Sequence, residues 1–417
     1  MKEKKVIAMK ILSFGSCNID SVYTVDHILR PGETIAATSV SNFPGGKGLN
    51  QTIALARAGA EVFHAGCIGK DGTMLLDCMH QSGVDTRYVR TVDDRTGLAI
   101  IQVDKNAENA IVIYSGANGN ITREHIDTVL KDFNAGDILL TQNEISQLPY
   151  LIRKAADKGM QVVWNPSPFH EDIRSIPLSH ISYLILNEVE ADGLWGYEDP
   201  VQIQQWLQAN NPALTVILTL GKKGSAYIDQ KHIYNHGAFS VKSVDTTAAG
   251  DTFTGYFIAC LSKGMEPKVS MRIASAASAL TVSRKGASSS IPHLKEVLDI
   301  LPQLQTNTTA PSDLIRKKIQ NYIDENYSNG TLKKLAQVLG YSINYTSNWL
   351  KSNMGQSFTA QLQAKKCAVA AQLLTETDLS VSEIIQKVGY KNESFFREIF
   401  HKHYGCTPLK YRKRRNS

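Results

Sequence analysis

No run of about 18 apolar residues occurs in this sequence, the length a helix needs to cross a bilayer, so a membrane span is not expected. The N-terminal stretch M-K-E-K-K-V-I-A-M-K-I-L lacks the longer apolar core of a secretory signal. Paired cysteines are missing too. The six cysteines are Cys17, Cys67, Cys78, Cys260, Cys367 and Cys406, no two form C-x-x-C, and neither a zinc knuckle nor a disulfide scaffold is indicated. A reducing cytoplasm is the expected location. Charge is absent from Leu301 to Pro311, a polar stretch that reads as an exposed linker.

What is present is enough for two or three domains: 417 residues, 42% of them hydrophobic. The net charge of +6 hides a division. Residues 311–417 hold 17 Lys and Arg against 8 Asp and Glu, net +9, which leaves residues 1–310 at −3. Without Lys410, Arg412, Lys413, Arg414 and Arg415 the C-terminal part is still +4. Such asymmetry points to a polyanionic partner for the C-terminal part.

The rest of the chain is best organised around Val244 to Gly255, V-D-T-T-A-A-G-D-T-F-T-G. A turn at Ala248-Ala249-Gly250 is predicted to open a helix. Free N–H groups at a helix start attract phosphate oxygens, and small side chains let them approach. Asp251 beside such an anion site is explained if it takes a proton from an attacking hydroxyl. The alternative is an ordinary helix cap.

Upstream, Lys10–Phe14 reads as a buried strand that ends at Gly15. Asn18 and Asp20, two apart, share a face in an extended segment and can grip vicinal hydroxyls, or form an Asx-turn. Glu33-Thr34-Ile35 is strand-like. Phe43-Pro44-Gly45-Gly46-Lys47-Gly48-Leu49-Asn50 is a glycine-rich loop opening a small-residue helix. Lys47 and Asn50 can reach a polar ligand there, but the spacing is not that of a P-loop. Val62–Ile68 reads as a strand. Thr96–Val103 and Ala110–Tyr114 look like a strand pair that forms a small sheet with segments near Tyr23 and Ile35. From Ile121 strands and helices alternate, which argues for a parallel sheet covered on both faces with binding groups at its C-terminal strand ends. The strand candidates are Asp137–Thr141, Gln161–Asn165, Tyr183–Asn187, Leu214–Leu220 and Gly224–Ile228. Glu144, Asn165, Asn187 and Gly221–Gly224 lie at such ends. Asn187 and Glu190 either hold a hydrated Mg²⁺ from one side of a helical turn or are helix-start chemistry.

The ordered set G-S-C-N-I-D, G-G-K-G-L-N-Q, T-G-L-A, G-A-N, N-E-V-E, T-L-G-K-K-G and D-T-T-A-A-G-D-T-F-T-G resembles the ribokinase-like (PfkB-type) sugar kinases over about residues 8–298. The resemblance implies an α/β fold: a three-layer α/β/α domain with a small β-sheet lid. It implies ATP-dependent phosphorylation of a sugar primary hydroxyl. Asn18, Asp20, Gly46, Lys47, Asn50, Glu144 and Asp251 would bind the sugar, with Asp251 as general base and Ala248, Ala249 and Gly250 as anion hole. Asn187, Thr219, Gly221 and Gly224 would lie on the nucleotide side. Glu190 would organise Mg²⁺ through water, and Asp245, Thr247, Thr281, Gly286 and Ser290 would surround a monovalent cation, K⁺. Relatives of this kind dimerise through their lids, so a homodimer is expected.

Past the linker, Ser312 is predicted to start a helix. Two similar units follow: Thr331–Tyr341 then Ser342–Met354, and Ser380–Tyr390 then Asn392–His403, with a long helix Thr359–Leu374 between them. Each has a short amphipathic helix, a Gly-Tyr turn, a capping Ser or Asn and a second helix, a helix-turn-helix pattern twice over. With G-C-T-P-L-K-Y-R behind them, residues 313–413 resemble the DNA-binding domain of AraC/XylS-type regulators. An all-α domain reading double-stranded DNA is implied. Its candidate contacts are Asn344, Ser347, Asn348 and Lys351 in the first unit and Asn392, Glu393, Ser394 and Arg397 in the second. Tyr345, Leu350, Phe395, Phe396 and Phe400 are expected in the core. Lys365-Lys366-Cys367 departs from an Arg-Leu-like pair and is expected to alter a phosphate contact.

The domains are therefore expected at 1–298 and 313–417, with a linker at 299–312. The whole reads as a sugar-responsive transcription regulator that binds and phosphorylates ribose or a related sugar. The alternatives are a metabolic ribokinase with an accessory tail and an inactive sugar sensor.

Overall fold

Ile11–Phe14 and Val62–Ile68 are buried at every position, as strands must be when both faces of a sheet are covered. In the computed structural model, which describes residues 9–106, 108–306, 311–339, 341 and 343–413, they are neighbouring interior strands of a nine-stranded sheet. The strands are β1 (Ile11–Phe14), β2 (Asn18–Thr24), β3 (Ser39–Gly45), β4 (Val62–Ile68), β5 (Asp85–Thr91), β6 (Gly97–Val103), β7 (Asn109–Tyr114), β8 (Ile138–Gln142), β9 (Gln161–Asn165), β10 (Tyr183–Asn187), β11 (Thr215–Thr219), β12 (Ser225–Ile228) and β13 (Ile233–His236). The large sheet runs β13-β12-β11-β10-β9-β8-β1-β4-β5, parallel except for β12 and β13. Successive strand residues serve opposite faces. Ile11, Val163, Ile185 and Ile217 join the core under helices Lys47–Arg57, Ala249–Ser262 and Pro267–Val282. Leu12, Val162, Leu184 and Val216 join the core under Arg123–Leu130, Leu148–Asp157 and Pro200–Asn210. The result is the expected α/β/α layering.

The second sheet, β3-β2-β6-β7, is the lid. Its outer strand differs from the sequence reading. Glu33–Ile35 forms no strand, and Ser39–Gly45 pairs antiparallel with β2 instead. S-V-S-N-F-P-G has no hydrophobic alternation, and Pro and Gly are poor strand residues away from an edge, so an edge position is where it fits. The edge strands β5 and β13 of the large sheet escaped the sequence reading in the same way. The lid carries exposed apolar side chains: Val40, Phe43, Ile100, Ile111, Val112, Ile113 and Tyr114.

The chain divides into two units between residues 307 and 308. Leu301 and Leu304, expected to be exposed linker, pack against the core of the first unit because they are the two large apolar residues in an otherwise polar stretch. The second unit, among the described residues, has helices Pro311–Asn326, Leu332–Leu339, Ile343–Met354, Phe358–Glu376, Val381–Lys387, Glu393–Tyr404 and Pro408–Lys413. It has two small cores. One joins Ile319, Ile323, Leu335, Trp349, Leu350 and Phe358. The other joins Cys367, Leu374, Ile384, Ile385, Phe396 and Phe400. The long helix Phe358–Glu376 supplies residues to both, so it is the spine that joins two helix-turn-helix units. Phe395 is the exception to the expected core aromatics: it is 49% exposed, because the adjacent Phe396 takes the inward position of that helix turn. The side chain of Tyr345 lies outside the described residues. No described helix is long and apolar enough to cross a membrane.

Candidate active site and nucleic-acid interface

Two helix starts build the centre of the site. Lys47–Arg57 begins at the glycine-rich loop, and Ala249–Ser262 begins at Ala248, which holds φ +59° in the left-handed region. They cross closely enough that a Cβ on Gly255 would sit 2.4 Å from the Ala54 Cβ and 2.8 Å from the Gln51 carbonyl oxygen. The crossing brings Asn50 and Gln51 onto Asp251. The Asn50 amide donates to Asp251 Oδ2 at 3.1 Å and the Gln51 amide to Oδ1 at 2.9 Å. Gln51 is held in turn by Gln142, whose amide donates to its Oε1 at 2.7 Å, and it also donates to Asn165 Oδ1 at 2.9 Å. Asp251 is thus aimed and buried, and among the described residues its side chain is hydrogen-bonded only by neutral amides. Asn50 Oδ1 is buried and has no partner among the described residues, an acceptor suited to a ligand hydroxyl. Gln51 and Gln142 were not singled out in the sequence, although Gln51 adjoins Asn50 in its motif.

On the lid side, Asn18 and Asp20 open β2 and alternate onto one face, as their spacing implied. Burial, with Glu144 and Asp251 nearby, pushes the Asp20 carboxyl up to about 7. Burial also raises Glu144, against the opposing pull of Lys47 and the Ser16 hydroxyl that donates to it. The Lys47 N–H donates to Glu144 Oε2 at 3.2 Å. Burial would lower the Lys47 ammonium, but Asp251, Glu144 and Glu190 outweigh it and leave it raised. The preceding glycines are required: Gly46 has φ +93°, and a Cβ on Gly45 would fall 2.0 Å from the Asp20 carboxylate.

Asn118, from the quoted G-A-N motif but given no role, organises this corner. It is 2% exposed, accepts from the Cys17 N–H at 2.9 Å and donates to Asn18 Oδ1 at 2.8 Å. With its carbonyl oxygen occupied, Asn18 is left to present its NH₂ as a donor.

Lys47, Asn187, Glu190, Thr219, Ala248, Ala249, Gly250 and Asp251 all line one cavity of about 200 Å³. Asn187 and Glu190 form a capping box as well: the Glu190 N–H donates to Asn187 Oδ1 at 2.9 Å and the Asn187 N–H to Glu190 Oε2 at 3.0 Å. The helix-start reading of the pair therefore holds, and both residues also line the cavity. In the segment expected to form an anion hole, the Ala249 N–H already donates to the Thr246 carbonyl at 3.3 Å. A second cavity of about 520 Å³ shares Thr246 and Ala249 with the first. It contains Gly221 and Gly224 and an apolar wall of Ala238, Phe239, Val241, Phe253, Ala279 and Val282; Phe253 lies in the Asp251 motif but was given no role, and the others were not singled out in the sequence. A small polar cavity opening onto a larger apolar one suits a phosphate chain attached to a flat ring system.

The expected cation residues are joined only in part. Asp245 Oδ1 accepts from the Thr247 N–H and hydroxyl at 2.9 and 2.6 Å, and its Oδ2 accepts from the Gly286 N–H at 3.0 Å. The Ser290 hydroxyl donates to the Ala287 carbonyl at 2.7 Å. The Thr281 hydroxyl is turned into the helix packing, donating to the Ala277 carbonyl at 3.1 Å and lying 3.0 Å from Thr252 Oγ1.

In the second unit, Asn348 and Lys351 are exposed on helix Ile343–Met354 and Ser347 is half-buried, while the side chain of Asn344 lies outside the described residues. On helix Glu393–Tyr404, Glu393 and Ser394 are exposed, and Arg397 pairs with Glu393 at 3.2 Å. Asn392 is exposed and also caps its helix, accepting from the Phe395 N–H at 3.0 Å. Lys366 is no phosphate contact. It is 8% exposed and donates to the carbonyls of Ser328 and Gly389 at 3.2 and 3.1 Å, 4.7 Å from the centre of the Tyr390 ring. A buried ammonium needs such acceptors, and here they tie the end of helix Pro311–Asn326 to the turn of the second helix-turn-helix. Lys365 pairs with Asp324 at 2.6 Å.

Known proteins share the architecture of the first unit. Residues 8–294 match the pfkB family of carbohydrate kinases and residues 335–414 a helix-turn-helix domain. A ribokinase of Haemophilus influenzae is 37% identical over 297 residues, covering 69% of this chain and 96% of that protein. The crystal structure of a Thermotoga maritima ribokinase superposes with a TM-score of 0.62 at 34% identity, over 71% of this chain and 99% of that one. The Arabidopsis thaliana ribokinase complexed with ribose and ATP superposes with a TM-score of 0.63 at 29% identity, again over 71% and 99%. The chain therefore belongs to the pfkB carbohydrate kinase family, as a ribokinase-like kinase domain continued by a helix-turn-helix domain.

Proposed function

We propose that the kinase domain phosphorylates ribose or a closely related sugar with ATP, and that the tail is an AraC/XylS-type DNA reader whose activity depends on the kinase domain's ligands. The observation that carries the reading is the convergence of Asp251, Lys47 and the Ala248–Gly250 helix start on one cavity, beside the Asn18, Asp20 and Glu144 cluster. Asn18 donates to, and Asp20 and Glu144 accept from, the sugar's hydroxyls. Asp251, held by Asn50 and Gln51, orients the primary hydroxyl and takes its proton. Lys47 and the N–H groups at the helix start stabilise charge on the transferring phosphoryl oxygens. The apolar wall around Phe239 and Val241 receives the base of ATP.

Glu190 fits a Mg²⁺ shared with phosphates, since this ion commonly keeps its waters and uses one or two carboxylates. When bound, it would supply charge neutralisation at the phosphates. Around Asp245 the side-chain hydroxyls are already engaged, so a K⁺ there would be held mainly by carbonyl oxygens and Asp245, stiffening the turn that leads into the anion hole. Pairing of two chains through the apolar lid face of Ile111 and Ile113 is the favoured dimer, and cytoplasm the favoured location.

The decisive measurement is ATP turnover on D-ribose. Wild type should turn over, and Asp251→Asn should lose about 10²- to 10⁴-fold in kcat while still binding sugar. A wild-type protein that binds ribose and ATP without turnover would leave the sensor reading. The second reading is a metabolic kinase with an accessory tail. The net charge of +9 on the tail, with exposed Asn348, Lys351 and Ser394 on both second helices, favours the regulator. Footprinting with and without ribose, ATP and ribose phosphate separates the two.

A further inference from the structure

The route by which the chain leaves the kinase fold is unusual in what it touches. After helix Leu294–Ile300, Leu301 and Leu304 pack against the core cluster that includes Phe239. The Ser240 N–H then donates to the Gln305 carbonyl at 2.9 Å, and Phe239 and Thr306 form an isolated antiparallel bridge. Phe239, Ser240 and Val241 are also wall residues of the 520 Å³ cavity assigned to the nucleotide. One short segment, 239–241, therefore faces the cavity and carries the last anchored residues of the kinase unit. In sequence, only residues 307–310 separate Thr306 from Pro311, the first residue of the tail's first helix.

Gln305 and Thr306 are not among the residues that line the Asp251 cavity. The sugar side has no comparable route. Among the described residues, the hydrogen bonds of Asn18, Asn50, Glu144 and Asp251 run to Asn118, Gln51, Ser16 and Lys47, and none reaches residues 301–306. The anchor itself is slight, a single bridge and two half-buried leucines. It is the kind of contact whose population a ligand can shift, provided the ligand prefers one state of the wall it lines.

We propose that the nucleotide cavity is also the effector site of the tail: a purine nucleotide packed against Phe239 and Val241 orders segment 239–241, fixes the linker at Gln305 and Thr306, and thereby changes the tail's affinity for duplex DNA. The inference rests on the nucleotide reading of the cavity given above. It makes the protein a reporter of nucleotide occupancy, with sugar acting only through its effect on that occupancy.

The test uses the full chain, ADP as a ligand that cannot be turned over, and a random-sequence DNA duplex followed by fluorescence anisotropy across a salt series. Saturating ADP should shift the DNA dissociation constant by about fivefold or more, within the range of ordinary coupling, and D-ribose alone by less than about twofold. Two variants address the anchor. Leu304→Ser loosens it, and a Gly-Ser-Gly-Ser insertion after Thr306 keeps it while detaching the tail. Both should bind ADP within about twofold of wild type by calorimetry and lose the DNA response. ADP binding with an unchanged DNA affinity overturns the inference, as does a full response in both variants. Absence of calorimetric ADP binding to wild type instead overturns the nucleotide assignment of the cavity, and the inference with it.

Discussion

Asp20 and Asn118 show how single side chains are set by what surrounds them. Burial and its carboxylate neighbours push the Asp20 carboxyl up to about 7, far above its ordinary value. An acid whose pKa is raised in the folded state stabilises the fold relatively more when protonated. Ligand-free stability should therefore decline as pH rises from the ordinary carboxyl range through about 7. Sugar binding has the opposite preference, because the ionised carboxylate is the better acceptor. Ribose affinity measured by calorimetry should rise as pH passes through about 7, and Asp20→Asn should be weak and flat with pH. Asn118 acts through Asn18 rather than on the ligand. Asn118→Ala removes the donor that orients the Asn18 amide and should raise the KM for sugar about tenfold, on the scale of one lost hydrogen bond. The KM for ATP should stay within about twofold, and a general loss of fold would move both.

At the scale of elements, the crossing of helices Lys47–Arg57 and Ala249–Ser262 decides whether there is a site at all. Gly255 is the contact point, with neighbouring backbone and Ala54 inside the space a methyl would take. Gly255→Ala should cost about 1 to 3 kcal/mol of stability by thermal unfolding, as overpacking does. Its kcat should fall as well, because pushing the helices apart moves Asn50 and Gln51 off Asp251. A Gly255→Ala protein with unchanged Tm and kcat would show that the crossing is looser than it looks. In the sequence, both helix starts were readable from their glycines and small residues. The partner strand of the lid was not, since Ser39–Gly45 has neither alternation nor strand composition and is strand only because β2 offers it an edge.

For the molecule as a whole, two units with separate cores and opposite net charge should unfold as two transitions. Ribose with ADP should raise one Tm, and duplex DNA at low salt the other, since a ligand stabilises the unit that binds it. DNA affinity should fall linearly in a log–log plot against salt, as charge-driven binding requires. A salt-independent curve would remove the phosphate-contact account of the tail's +9.

The sequence alone determined the layering and the two helix-turn-helix units, and it named most of the residues that line the candidate site. Period, glycine placement and charge are local properties, and motifs such as G-G-K-G-L-N and A-A-G-D keep their chemistry within a few residues. Only tertiary structure decided what depends on distant segments meeting. It set Gln51 and Gln142 on Asp251, Asn118 on Asn18, the apolar wall of the larger cavity, Lys366 as an interior tie, Phe395 as surface and Leu304 as an anchor. Each of these is an ordinary residue until another part of the chain supplies its partner, because burial and hydrogen-bond partners are fixed by packing and not by neighbours in sequence.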